Sequence, residues 1–397
     1  MGLQPGRSGG PPLLPPVPAG WDPFHGRRAE GPIVLLLIDG LGWSGWRTAA
    51  TETPGVPSNW IEASRPITSV FPSTTTCALT SLSTAQSPSR HGVLGHRQFL
   101  PAWGTVADLL NMSPIAAAAR NSILPEGVDT GTIRGCPTLF ELGLPATVLT
   151  RGSFAGSGFT RMLYAGARFC SYWTAVDFAH ELARLLSQPK PPPVIYAYWE
   201  ELDTVLHRRG PDPELLRLEV ERMRSLLATV TRRLPSARAQ RTQLWITGDH
   251  GLVPVDPGRS IAAEGQPALL RGLRHPPTGD RRAVYLAVRP GELGRVRGVL
   301  HRLLPAGSLV KGFDEARRAG WFGPPPYHPE LHARTGDLVV VPAEPVGFTY
   351  QAPGAATPFL SMRGSHGGLD RRELWVPWIA GSLAELGGED ALAPSRN

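Results

Sequence analysis

Residues 33–40 read Ile-Val-Leu-Leu-Leu-Ile-Asp-Gly. Six apolar residues without alternation fit a strand covered on both faces, as the inner strands of parallel sheets are. Asp39 then stands at the carboxyl end of that strand, which is where open α/β sheets hold their ligands. Two further stretches repeat the arrangement. Residues 194–199, entered from Pro191-Pro192-Pro193, run into Glu200, Glu201 and Asp203, and residues 243–247 run into Gly248-Asp249-His250. Between them, 213–234 carries Leu215, Leu216, Val220, Met223 and Leu227 at helical spacing, and 174–186 reads as another helix. Strands alternating with helices predict an α/β fold: a mostly parallel central sheet with helices on both faces.

Outward from this core the texture changes. Residues 257–343 hold more Gly, Pro and Arg, with strands expected at 283–288 and 337–341 and a helix at 292–304. They read as a smaller inserted α+β lobe within a core made of 31–256 and 344–385. A Pro/Gly-rich arm (1–30) and a short tail (386–397) flank it. The Pro324–Pro326 loop is expected to line the site.

Composition narrows the function. A chain of 397 residues with 41% hydrophobic and 18% charged residues has the balance of a globular protein. The formal charge of +7 comes almost wholly from arginine, since only Lys190 and Lys311 are lysines. These arginines are dispersed without a run, so no nucleic-acid polymer is expected as partner; the basic balance still attracts phosphate-bearing small molecules. Cys77, Cys136 and Cys170 have neither the number nor the spacing of a disulfide framework. The first 24 residues offer no apolar run beyond Leu13-Leu14. With neither leader nor membrane span legible, the chain reads as cytoplasmic and free of membrane.

The chemistry-bearing residues gather at the strand ends. Asp203 and His207, four apart, project from one helical turn. Asp249-His250 adds a pair, Asp39 a third carboxylate, and His366, within Arg363-Gly-Ser-His-Gly-Gly368, a third imidazole. Three Asp and three His on one rim suit two divalent metal ions. Zinc is the best match, and manganese or iron are further occupants of such a set. With 14 Asp and 11 His in 397 residues, any single Asp–His offset is expected by chance ~0.4 times. Asp39 alone could cap a loop, and Asp203/His207 alone could be a surface pair. Their ordered placement after three strands is what carries the reading.

A further segment, Ser69-Val-Phe-Pro72-Ser-Thr-Thr-Thr76-Cys77, places hydroxyls at the start of a helix. There, orphan N–H groups and the positive end of the helix dipole favour a phosphoryl group. On residues alone Thr74, Thr75 and Thr76 remain alternatives as nucleophile, while Cys77 reads as core.

In this order the motifs resemble the alkaline phosphatase superfamily and, within it, the type I phosphodiesterase/nucleotide pyrophosphatase family, over about residues 31–256 and 345–380. The family's Ile-Asp-Gly strand end falls on Asp39. Its nucleophilic Thr, three residues after a Pro and nine before another Thr, falls on Thr75, between Pro72 and Thr84. Its Asp-x-x-Gly-His falls on Asp203 and His207, ahead of Gly210-Pro211; its Asp-His-Gly on Asp249, His250 and Gly251; its late His-Gly on His366. The resemblance implies one metal centre of Asp39, Thr75, Asp249 and His250 and a second of Asp203, His207 and His366.

Three positions depart from the pattern. Leu206 replaces a Gly, Thr84-Ala85 replaces Thr-Gly, and His96 stands where nucleotide-cleaving members carry an Asn that contacts a phosphate oxygen, which makes His96 a candidate phosphate contact. The expectation is a metal-dependent phosphodiesterase or nucleotide pyrophosphatase, acting on a small phosphate ester or nucleotide-like substrate through a phospho-threonine. A phosphomonoesterase or phosphonate hydrolase on the same site, and a non-catalytic metal-binding scaffold with this fold, are the alternatives.

Overall fold

The computed structural model describes residues 29–388 except 54, 55, 57, 118, 125–129 and 354–360. The arm up to residue 28 and the tail from 389 lie outside the described residues. The central sheet has seven strands in the order Ser64–Thr68, Trp375–Ser382, Gln243–Thr247, Ile33–Ile38, Val194–Trp199, Ala146–Arg151 and Arg168–Tyr172. Every pairing is parallel except those of Trp375–Ser382, which runs against both neighbours. The three strands legible in the sequence are the three at the centre. The strand bearing Pro66 and the one bearing Pro377 were not legible, because proline reads as a strand breaker; the two prolines pair with each other near the sheet edge.

Ile33–Ile38 shows why its run is unbroken. Val34, Leu36 and Ile38 enter one core layer, and Leu37 enters the layer on the opposite face. The first layer is closed by helices Trp43–Glu52, Ala175–Leu186 and Pro213–Arg232, the last burying Leu216, Val220, Met223 and Leu227. Asp212 caps Pro213–Arg232, its side chain accepting from the Glu214 N–H at 2.9 Å. The other layer holds Cys77 and Leu79 of helix Thr75–Thr84. No described helix is long and apolar enough to cross a membrane.

A second seven-stranded sheet is antiparallel throughout: Leu309–Gly312, Leu338–Val341, Val284–Leu286, Thr278–Gly279, Arg97–Leu100, Thr105–Asp108, Ser113–Pro114. Residues 257–343 therefore do not build their sheet alone. Through the pairing of Gly279 with Arg97 it continues into residues 97–114. A buried ion pair ties this sheet to the chain following His366. Arg282 Nη2 lies 3.2 Å from Glu373 Oε2, whose other oxygen accepts from the Gly368 N–H at 2.9 Å.

Candidate active site

Parallel register aligns the strand ends: Ile38 pairs with Trp199, and Leu37 with Thr247. Asp39, Asp249 and the helix Glu201–Arg209 with Asp203 and His207 thus emerge at one rim. Gly40 makes the approach possible. Its φ is +78°, and a Cβ there would sit 3.1 Å from the Asp203 Cα. Its N–H donates to Asp249 Oδ1 at 3.0 Å. His366 arrives from the opposite end of the chain, because Gly364–Ser365 pairs antiparallel with Val253–Pro254, just beyond His250.

All seven proposed ligands meet. Donor atoms of Asp39, Asp249 and His250 lie within 4.8 Å of one another, as do those of Asp203, His250 and His366. The His250 and His366 rings stack with centroids 3.6 Å apart. His207 Nε2 lies 3.3 Å from Asp203 Oδ2 and 3.2 Å from His366 Nε2. Thr75, first residue of its helix, has Oγ1 at 3.1 Å from His250 Nε2. Glu200 and Glu201, which share the second strand's end with Asp203, are engaged by arginines instead. Glu200 accepts from Arg151 Nε at 2.7 Å, and Glu201 from Arg222 Nη1 at 2.5 Å.

Proton placement decides whether this set fits a metal. His207 Nδ1 and His366 Nδ1 face the carbonyls of Gly364 and Ser73 at 2.8 and 3.1 Å. A carbonyl only accepts, so each Nδ1 donates, and each neutral ring then presents an Nε2 lone pair. Two such lone pairs face each other beside a carboxylate, an arrangement that repels unless a cation lies between. Buried oxygens that find no hydrogen-bond donor among the described residues point the same way: Asp39 Oδ1, Asp203 Oδ1 and Asp249 Oδ2. The residues therefore fit divalent metal, with imidazole orientation fixed by backbone carbonyls, as is usual for metal-bound histidines.

Electrostatics without metal agree. Burial pushes Asp203 and Asp249 up to about 6. Asp39 is raised by burial and then by Asp249 and Asp203, against the Tyr198 hydroxyl that donates to it. Burial, then the neighbouring His207, lowers His250 to about 3, and His366 is also driven well down, first by burial and then by His250.

Thr75, Asp39 and Asp203 open into a cavity of about 590 Å³. Its walls include Leu79, Phe154, Phe159 and Tyr198, with His96 and Arg120 among the polar lining. His96 Nε2 lies 3.1 Å from Asp108 Oδ1. Burial alone would lower the imidazole, but Asp108 outweighs it and holds His96 above its usual value. The Pro324–Pro326 loop does not reach this cavity. The Pro324 carbonyl instead accepts from Ser89 Oγ at 2.8 Å, packed away from the ligands. A larger hollow of about 770 Å³, behind the Asp203 helix, receives none of the ligand side chains. Asp280, whose Oδ2 accepts from Thr74 Oγ1 at 2.6 Å, was not legible in the sequence as part of the site, and neither was the bond that the Tyr198 hydroxyl donates to Asp39.

A family signature described as Type I phosphodiesterase / nucleotide pyrophosphatase matches residues 33–369. No curated protein sequence matches the chain. Among solved structures, murine ectonucleotide pyrophosphatase/phosphodiesterase 5, an inactive variant in complex with AMP, is 17% identical. It has a TM-score of 0.64, over 89% of this chain and 88% of that one. The human ectonucleotide pyrophosphatase/phosphodiesterase 5 gives 15%, 0.63, 88% and 87%. Phosphonoacetate hydrolase from Sinorhizobium meliloti, in complex with phosphonoformate, gives 18%, 0.61, 92% and 96%. At these identities the structural likeness speaks for the fold.

Proposed function

The chain belongs to the type I phosphodiesterase/nucleotide pyrophosphatase family of metal-dependent hydrolases of phosphoric ester and anhydride bonds, and from that premise we propose that it cleaves a small phosphodiester or nucleotide-like anhydride by way of a phospho-threonine on Thr75. The observation that carries this reading is the position of Thr75. Its hydroxyl stands at a helix start, 3.1 Å from His250 Nε2, and lines the cavity into which Asp39 and Asp203 open.

Asp39, Thr75, Asp249 and His250 would hold one divalent ion and Asp203, His207 and His366 the other. Zinc is the proposed metal, from a donor set of carboxylate and imidazole. When bound, such ions acidify a hydroxyl or a water and neutralise charge on phosphoryl oxygens. Thr75 Oγ forms its bond to phosphorus as the bond to the leaving oxygen breaks. Water then attacks the phospho-threonine, the Thr–O–P bond breaks, and the hydroxyl is restored. Among the described residues the Thr75 and Thr76 N–H groups at the helix start have no acceptor, and they offer hydrogen bonds to the phosphoryl oxygens. The three unpaired cysteines support a reducing compartment as the place of action.

One observation favours a second reading. His96, which Asp108 keeps towards its charged form, replaces the neutral Asn of nucleotide-cleaving members. A cation at that point suits a terminal group with two negative charges, as in a phosphomonoester or a phosphonate.

The test compares bis-p-nitrophenyl phosphate with p-nitrophenyl phosphate on metal-loaded protein, with Thr75→Ala alongside. Faster diester cleavage, lost by ~1000-fold or more in Thr75→Ala at unchanged metal content, is expected. Monoester preference would select the second reading, and an active Thr75→Ala would remove Thr75 as nucleophile.

A further inference from the structure

Hydroxyl caps in this chain either close their own helix or, like Ser87 and Thr130, leave it open, and Thr74 is of the second kind. Thr174 and Ser157 turn their side chains back onto their helices, accepting from the Asp177 and Thr160 N–H groups at 3.2 and 3.1 Å. Ser382 does the same for Glu385 at 3.1 Å. Thr74 has the extended backbone of a cap, φ −136° and ψ 148°, yet its hydroxyl makes no bond to helix Thr75–Thr84. It donates instead across to the antiparallel sheet, to Asp280 Oδ2 at 2.6 Å.

Asp280 is built to hold that bond. Its Oδ1 accepts from the Arg281 N–H at 2.9 Å, and its own N–H is fixed on the Ala283 carbonyl at 2.7 Å. Asp280 Oδ2 accepts the Thr74 proton in this bond, so that hydroxyl is committed to it.

The consequence falls on the helix start. The Thr74 carbonyl takes the Cys77 and Ala78 N–H groups, at 3.0 and 2.9 Å. Among the described residues the Thr75 and Thr76 N–H groups have no acceptor. A cap hydroxyl ordinarily satisfies the second or third helical N–H. With the third already on the backbone, the second, that of Thr76, is the one Thr74 would have closed.

We infer that Asp280 is a positioning residue that withholds the Thr74 hydroxyl from its own helix, so that the Thr76 N–H stays open to a phosphoryl oxygen of the substrate. The inference rests on the phosphoryl group being seated at Thr75. It assigns the second sheet a part in the reaction, through a carboxylate that need not touch substrate or metal. It also makes a specific claim about defects. Removing Asp280 releases the hydroxyl to cap Thr76, and removing the hydroxyl as well reopens the N–H.

The experiment is a two-by-two comparison of wild type, Asp280→Ala, Thr74→Val and the double variant, each metal-loaded. The readouts are kcat on bis-p-nitrophenyl phosphate, inorganic phosphate affinity by calorimetry, and metal content. Asp280→Ala is expected to lose ~10–100-fold in kcat, with weaker phosphate binding at unchanged metal content. Thr74→Val should stay within about threefold of wild type, and the double variant should return to the Thr74→Val level. A double variant as impaired as Asp280→Ala, or an unimpaired Asp280→Ala, overturns the inference. If Asp280→Ala has no melting transition, Thr74→Val decides alone: near-normal kcat supports the inference, and a loss beyond about tenfold overturns it. An active Thr75→Ala would sink the nucleophile assignment separately, since phosphate affinity across the four proteins reports the open N–H without turnover.

Discussion

His207 shows how much a single side chain carries. Its Nδ1–H is committed to the Gly364 carbonyl, and its Nε2 meets both Asp203 and His366 within 3.3 Å. Replacing it should remove one of the two proposed centres while Asp39, Asp249 and His250 keep the other. His207→Ala is expected to bind about one ion per chain where wild type binds about two, and to lose more than ~100-fold in turnover. Elemental analysis of the purified variant, together with its diester kinetics, checks both. Two ions in His207→Ala would take His207 out of the ligand set. The proposed ligands were legible because chemistry at the end of a buried strand stands out against an apolar run, as Asp39 does after Ile33–Ile38. The bond from Tyr198 to Asp39 was not, because the carboxylate that receives its hydroxyl is 159 residues away in the sequence. Asp280 was hidden for a different reason: in a Gly- and Arg-rich loop a lone aspartate reads as turn chemistry.

At the scale of elements, the helix Thr75–Thr84 ends unusually. Its C-cap, Ala85, has φ +55° and ψ +31°, the left-handed region that glycine occupies without penalty. The family pattern has Gly here, so the departure seen in the sequence has a structural cost. Ala85→Gly should therefore stabilise the protein by about 1 kcal/mol. Urea denaturation measures it, and a lower midpoint at unchanged slope would show that the Ala85 methyl group contributes more than its backbone strain costs. Elements with one strong periodicity were legible with near-correct limits. Glu292–Leu304 was expected as helix and Leu293–Leu303 forms one. The antiparallel sheet was not, since Thr278–Gly279 and Ser113–Pro114 contribute two residues each and no two-residue strand has a period. Its unity depends on the pairing of Gly279 with Arg97, set by tertiary folding and invisible to local pattern.

The whole molecule folds around a buried cluster of like charges, and its stability must answer to whatever neutralises them. Asp203 and Asp249 stand at about 6 and Asp39 is raised as well, each first through burial. Since a free carboxylate titrates near 3.9, folded metal-free protein at pH 5 retains protons on these groups that the unfolded chain has lost. That contribution to stability is present at low pH and disappears as pH rises through about 6. Metal binding requires the same carboxylates ionised, so its affinity moves the other way and strengthens over that interval. His250 and His366, pulled down by burial, are already neutral in the folded state at both ends of the interval, so they add little to the difference. Unfolded-state protonation is common to both forms and cancels. The gap in melting temperature between metal-loaded and chelator-stripped protein should therefore widen from pH 5 to pH 8. Scanning calorimetry of the two forms in matched buffers decides it. A gap that narrows over the same range would mean that metal displaces no carboxylate protons, and the three aspartates could not then be the residues that hold it.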